Sequence, residues 1–183
     1  YIEHVWWFIK QAYERGDLVE SFKVVPYCPR CETPLSSHEV AQGYEEVEDP
    51  SIYVKFPVEG TSNLYIVIWT TTPWTLAGNE AIAVHPDEYY VKIRVDNEEW
   101  IVAEKLLERF SREVKIKNYE VLERFKGLAI AGHQYKHPLI EKVPRHLEHA
   151  PPAHTVITAE FVTMEEGTGC VHIAPAHGPE DFT

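Results

Sequence analysis

The sequence predicts a mainly β, α+β chain with short helices, whose strands close into a small β-barrel. Three observations carry this expectation. Runs of five to eight residues heavy in Val, Ile and Tyr follow one another closely, and Gly, Pro, Asn or Asp bounds each run. Only three short stretches show a helical period. Closely spaced short strands with turn residues between them are the pattern of sandwiches and barrels.

Taken in order, residues 1 to 15 are predicted to be helical. Val5, Trp6, Ile9, Ala12 and Tyr13 recur at a helix period, and Gly16 supplies a stop. Aromatic residues at Trp6, Trp7 and Phe8 wrap more than one side of this helix, so it is expected to be covered by protein beyond the chain. An extended piece, "SFKVVPYCPRC", follows. The strands are then expected at "SIYVKFPV", "NLYIVIW", "EAIAV", "YYVKIRV" and "EWIVAE", with "VDNEE" as a hairpin turn. "AEKLLERF" interrupts as a short helix; "GLAIAG", "HTVITAEFV" and "GCVHIA" resume the strands, and "GPEDF" opens a last helix. The acidic stretch "GYEEVEDP" separates a helical, metal-like leader, residues 1–50, from the barrel, residues 51–183.

A formal charge of −12 argues against a free-standing nucleic-acid binder, because Lys and Arg supply affinity for phosphates. The charge is uneven, with ten Lys or Arg against five acids from Lys105 to Arg145. That face would suit a phosphate backbone, or would simply be a solvated surface. No apolar run reaches the roughly eighteen residues of a membrane span, so no membrane partner is expected. Three cysteines, two of them close together, suggest metal or redox use in a reducing compartment, hence the cytoplasm. The chain opens in mid-pattern without Met and reads as a piece of something longer.

Cys28-Pro-Arg-Cys31 has the spacing of half a zinc ribbon. The remaining ligands would lie outside the chain, or His38 would contribute locally, or the pair would be free thiols. Cys170 sits in an apolar strand and is expected to be a small buried residue. His172, His177 and Asp181 lie close in sequence and raise the possibility of a metal-dependent hydrolase. Pro175, Gly178 and Pro179 make that stretch a loop, however, so no ligand spacing is fixed. No Ser lies in a nucleophile elbow.

A site built for positioning remains. Thr70, Thr71, Thr72 and Thr75 offer hydroxyls for a carbonyl, a ribose or a water, and Asp181 offers a carboxylate for an ammonium group. The same threonines also read as β-formers at a strand end, and Asp181 as a helix N-terminal acid.

"WTTTPWTLAGNEAIAVHP", "GTGCVHIAPAHGPEDF" and the preceding "VVPYCPRCETPLSSHEV" resemble, in order and over essentially the whole chain, the editing insertion of isoleucyl-tRNA synthetases. Thr72-Pro73-Trp74 stands where the valyl and leucyl sister domains carry Arg-Pro after a threonine pair. The resemblance implies a β-barrel that hydrolyses the mischarged product Val-tRNA(Ile) with an oriented water, without a covalent intermediate and without a cofactor. Its partners would be the acceptor end of tRNA(Ile) bearing valine and the Rossmann body of the synthetase.

By the same resemblance, Asp181 holds the α-ammonium, while His172 and Thr75 wall the side-chain pocket. Thr70, Thr71 and Thr72 hold the terminal adenosine and the water, and Asn79 and Trp69 belong to the same loop. Trp69 and Trp74 are expected to pack that loop from beneath, with His177 as a loop former. Zinc would be completed in the full-length enzyme by a second pair of cysteines. In this chain Cys28 and Cys31 would then be metal-free or poorly ordered, and Trp6 and Trp7 partly exposed. Ala77-Gly78 departs from the family's Pro plus small residue, which should loosen the loop.

Overall fold

The computed structural model describes residues 1–145 and 153–182. The chain divides into two compact units, Tyr1–Gly43 and Tyr44–Thr183.

In the first unit, helix α1 (Ile2–Glu14) runs as its apolar period requires and ends at Arg15, beyond which Gly16 takes φ +78°. None of its residues is buried, and Trp6 and Trp7 are 66% and 62% exposed. Strands β1 (Tyr27–Cys28) and β2 (Thr33–Pro34) pair antiparallel as a tight hairpin. Helix α2 (Ser37–Ala41) begins at a capping box, in which Ser36 and Glu39 exchange side-chain bonds with each other's backbone N–H groups.

The second unit contains β3 (Ile52–Pro57), β4 (Leu64–Thr70), β5 (Ala81–Val84), β6 (Tyr89–Val95), β7 (Glu98–Ala103), β8 (Glu120–Lys126), β9 (Thr155–Thr158) and β10 (Cys170–Ile173). It also contains α3 (Leu107–Glu113) and α4 (Pro179–Phe182). A five-stranded sheet runs β3-β4-β7-β6-β8 and a three-stranded sheet runs β10-β5-β9. Alternation along the central strands builds two cores. Ile66, Ile68, Ile101 and Ala103 face Ile82, Val84 and Val156 of the second sheet. Val67, Val91, Ile93 and Val102, on the opposite face, pack with Leu107 and Phe110 of α3. Period-two side-chain alternation puts neighbours on opposite faces, so a strand such as β4 is buried on both.

The expected closed barrel is not what forms. Closure needs every strand paired on both edges, whereas β3, β8, β9 and β10 are sheet edges. Among the described residues, isolated bridges pair Val58 with Tyr135 and Gln134 with Thr155, the first residue of β9. Ala103 N also donates to Thr168 O at 2.8 Å, and the Tyr90 hydroxyl to Gly169 O at 2.6 Å. Local alternation is the same in an open sheet as in a barrel, so the sequence pattern does not separate the two. "GLAIAG" also differs from expectation: Gly127–Ile130 is a 3-10 turn. A Cβ on Gly127 would stand 2.1 Å from His85 O, so the backbones meet there too closely for an ordinary strand residue.

Strand β8 was not expected. Glu120, Glu123, Arg124 and Lys126 make it look like a polar linker, yet charged residues are what an exposed sheet edge carries against aggregation. Its charges pair with neighbours: Arg124 with Glu104 at 2.7 Å, Lys92 with Glu123 at 2.8 Å and Arg94 with Glu120 at 3.1 Å. Part of the positive charge between residues 105 and 145 is neutralised within the chain, since Lys105 pairs with Glu88, Arg124 with Glu104 and Lys126 with Asp87. These exposed pairs contribute little stability individually.

The seam between the sheets is crowded at Gly169, which has φ +71° and where an added Cβ would lie 2.5 Å from Ala103 Cβ. Gly169→Ala is expected to destabilise the chain by about 2–4 kcal/mol, from overpacking and backbone strain together. A urea titration followed by tryptophan fluorescence measures this; a change within about 0.5 kcal/mol would show that the seam can relax.

Candidate functional site

Strand β4 ends at Thr70, and Pro73 then opens a 3-10 turn, Pro73–Gly78, because its fixed φ and missing N–H suit a first helical position. Thr70 and Thr75, both buried, anchor either side of this corner. Thr72 N donates to Thr70 Oγ1 at 3.0 Å, and Thr75 N donates to Thr72 O at 3.0 Å. The hydroxyls of Thr70 and Thr72 are 3.2 Å apart, and those of Thr72 and Thr75 are 3.4 Å apart.

Opposite lies the Gly167–Gly178 stretch. Gly167 and Gly169 both take positive φ, which lets the chain double back into β10. At Gly167 an added Cβ would meet Trp69 Cβ at 3.1 Å. In β10, His172 Nε2 lies 2.9 Å from Thr75 Oγ1, across 97 residues of sequence. The Thr75 hydroxyl donates its single proton to Thr72 O at 2.7 Å. His172 Nε2 must therefore be the donor to Thr75, which leaves Nδ1 unprotonated. Nδ1 is buried without a partner among the described residues. Burial pushes His172 below the ordinary 6.5; Asp181 opposes that shift and His177 adds to it. The imidazole is thus held neutral.

Asp181, in the first turn of α4, accepts from Ala174 N at 2.9 Å through Oδ2. His177 N donates to Ala174 O at 2.8 Å, and the His177 ring sits where a Cβ on Gly78 would meet Cε1 at 3.2 Å. The two loops therefore interlock, and Gly78 is what allows the close approach.

Between them opens a cavity of about 540 Å³. Trp69, Thr70, Thr71, Thr72, Thr75, His172 and Asp181, all expected from the sequence, line it together. Asn79 does not: it is fully buried, with Nδ2 donating to Ala81 O at 2.9 Å and Oδ1 accepting from the Tyr135 hydroxyl at 2.6 Å. Trp74 corrects another expectation. It is 71% exposed and lines the cavity instead of packing the loop from beneath. Thr163, Glu166 and Thr168 also line it and were not anticipated. The Gly-Thr-Gly spelling at 167–169 signals the tight turn, but nothing local says that Glu166 faces a cavity. Cys170 reaches the wall as a buried thiol pushed up to about 12, so it is no nucleophile at neutral pH.

Among the described residues, no group of three or more His, Cys, Asp or Glu side chains is arranged to hold a metal. Cys28 ends β1 and Cys31 lies in the turn to β2, where Cys31 N donates to Cys28 Sγ at 3.4 Å. Backbone and side-chain bonds from Cys31 hold the Cys28 thiol low, while the Cys28 sulfur pushes Cys31 up. His38 is bonded to Gln42 at 2.8 Å.

A family model described as the leucyl-tRNA synthetase editing domain matches residues 49–183. The isoleucine–tRNA ligase of Pyrobaculum aerophilum is 55% identical over 186 aligned positions, and that of Pyrococcus furiosus 51% over 189; both matches cover the whole chain. The chain spans 19% and 18% of those two proteins. Among solved structures, GlLeuRS-CP1 superposes with a TM-score of 0.58 at 19% identity, covering 73% of this chain and 57% of that one. The P. knowlesi cytosolic leucyl-tRNA synthetase editing domain gives 0.56 at 14%, covering 72% and 59%. At these identities the likeness speaks for the fold.

Because the folded state depresses the His172 pKa, it binds fewer protons there than the unfolded chain does. The resulting stability is present above pH 6.5 and is lost as pH falls through the folded-state value. In an NMR titration the His172 ring protons are expected to titrate with a midpoint below 6.5. A midpoint at or above 6.5 would show that the imidazole is not held neutral.

Proposed function

The chain belongs to the family of leucyl-tRNA synthetase editing domains, and from that premise we propose that it hydrolyses valine from mischarged Val-tRNA(Ile). The isoleucine–tRNA ligases that match its whole length support the choice of amino acid and tRNA. The observation that carries the reading is one cavity that brings together the Asp181 carboxylate, a hydroxyl cluster and the neutral imidazole of His172, with Glu166 also on its wall and the Cys170 thiol held protonated.

An aminoacyl ester is already reactive, so holding it beside a water removes much of the barrier. Well-oriented reactants reach effective molarities on the order of 10⁵–10⁸ M. Asp181 takes the α-ammonium through a charge-assisted bond. Thr70, Thr71 and Thr72 take the terminal ribose and the water, which a ribose hydroxyl of the tRNA also helps to hold. Thr75 and His172 bound the side-chain space, where the extra methylene of isoleucine would strike the imidazole.

Such a second site answers a physical limit. One methylene in an apolar pocket discriminates by only about 10 to 200-fold, a limit of which isoleucine against valine is the standard illustration. Removing the smaller product afterwards multiplies the two selectivities. The reaction as proposed uses no cofactor.

Cys28 and Cys31 fit half of a tetrahedral zinc site. Backbone N–H support at Cys28 and the raised second thiol describe a pair whose crowded negative charge a cation would relieve. The other two ligands would come from outside the chain, and the zinc would brace the leader rather than take part in hydrolysis. The net charge of −12 accords with a domain that meets only the acceptor end of the tRNA, leaving most phosphate contacts to the remainder of a cytoplasmic synthetase.

Deacylation of Val-tRNA(Ile) and Ile-tRNA(Ile) by the chain tests this reading directly. Valine is expected to be released faster, with EDTA without effect. Asp181→Ala should slow the reaction about 100-fold through lost orientation, and His172→Ala should extend hydrolysis to isoleucine. Abolition of activity by EDTA would replace this reading with metal-dependent hydrolysis.

A further inference from the structure

Two buried polar side chains behind the threonine turn have no part in the chemistry above. Tyr135 and His137 are each 1% exposed and neither lines the cavity. Burial pushes the Tyr135 phenol well above its ordinary range, so its hydroxyl keeps the proton that it donates to Asn79 Oδ1 at 2.6 Å. Asn79 Nδ2 is committed to Ala81 O, so both ends of this fully buried amide are fixed. His137 Nδ1 accepts from Leu139 N at 3.0 Å, which places the ring proton on Nε2, 3.0 Å from Leu76 O.

Leu76 follows Thr75 directly, and its carbonyl also accepts from Asn79 N at 3.1 Å. The 3-10 turn is therefore gripped from behind at Leu76 and Asn79, and from the cavity side by His172 at Thr75. Thr72 is carried along, because its carbonyl receives both the N–H and the hydroxyl of Thr75. Buried polar groups are costly unless paired. Here the bonds from Tyr135 and His137 reach the turn that presents the threonines, over 56 and 61 residues of sequence.

We propose that Tyr135 and His137 are positioning residues for the hydrolysis, acting through Asn79 and the Leu76 carbonyl to hold the Thr72 and Thr75 hydroxyls in register with His172. The proposal rests on the deacylase reading for its kinetic consequence, but not for the linkage itself. Tyr135→Phe keeps the ring that packs edge-on against Phe56, with centroids 5.2 Å apart, and removes only the hydroxyl. His137→Leu removes the donor, and His137→Gln restores one at similar reach.

The test measures kcat and KM for Val-tRNA(Ile) with all three variants, together with thermal melting. It also records the His172 Nε2 and Thr75 amide resonances in the free chain. Tyr135→Phe and His137→Leu are expected to lower kcat by about tenfold to 100-fold, the scale of an ångström-level misplacement. KM should stay within about twofold, both resonances should shift, and His137→Gln should recover most of the loss. A lowered Tm with kcat and both resonances unchanged would overturn the proposal and leave the pair as core residues. A wild-type chain inactive on Val-tRNA(Ile) would count against the deacylase reading alone. The resonances would then decide the linkage: movement in Tyr135→Phe supports it, and no movement overturns it.

Discussion

The bond between His172 Nε2 and Thr75 Oγ1 is the constraint on which the site depends. It joins the turn after β4 to β10, and so defines a cavity between two loops far apart in sequence. Its polarity follows from a single proton: Thr75 has already given its own to the Thr72 carbonyl, so the imidazole must donate. Burial keeps that imidazole neutral, and a neutral ring can stand against an apolar side chain at far lower cost than a charged one. The rest of the fold serves this geometry. The two sheets pack β4 and β10 close together, and Gly167, Gly169 and Gly78 permit the three tight approaches that a side chain would block.

Much of this was legible in the sequence, for identifiable reasons. Strand β6 declares itself because the core selects Val91, Ile93 and Val95 at every second position, and β4 because burial on both faces selects the run Ile66, Val67, Ile68. The first helix declares itself because Trp6, Ile9 and Tyr13 share a face. The residues that line the cavity were legible as chemistry, a cluster of hydroxyls facing a His and an Asp, and the motif resemblance supplied their roles as expectations.

What was not legible is nonlocal. Whether two sheets close depends on their edges, and β8 hides its edge role behind charges that look like a linker. Asn79 has the makings of a ligand-binding residue by type, yet Tyr135, 56 residues away, engages its amide oxygen. Glu166 has no sequence cue for facing the cavity, because its position follows from the Gly167 turn. Trp74 reads as a packing residue by size but lies exposed at the cavity. In the leader, the capping box at Ser36 and Glu39 starts a helix, α2, of only five residues, too short to show a helical period.

Occupancy of the cavity by a hydrolysis-resistant substrate analogue tests the site most directly. A crystal structure of the chain with valine amide-linked to the ribose of adenosine should place the ammonium within hydrogen-bond reach of Asp181. The isopropyl group should lie against His172 and Thr75, and the ribose beside Thr70, Thr71 and Thr72. An analogue that binds with its ammonium away from Asp181, or outside this cavity altogether, would contradict the positioning of substrate by these residues.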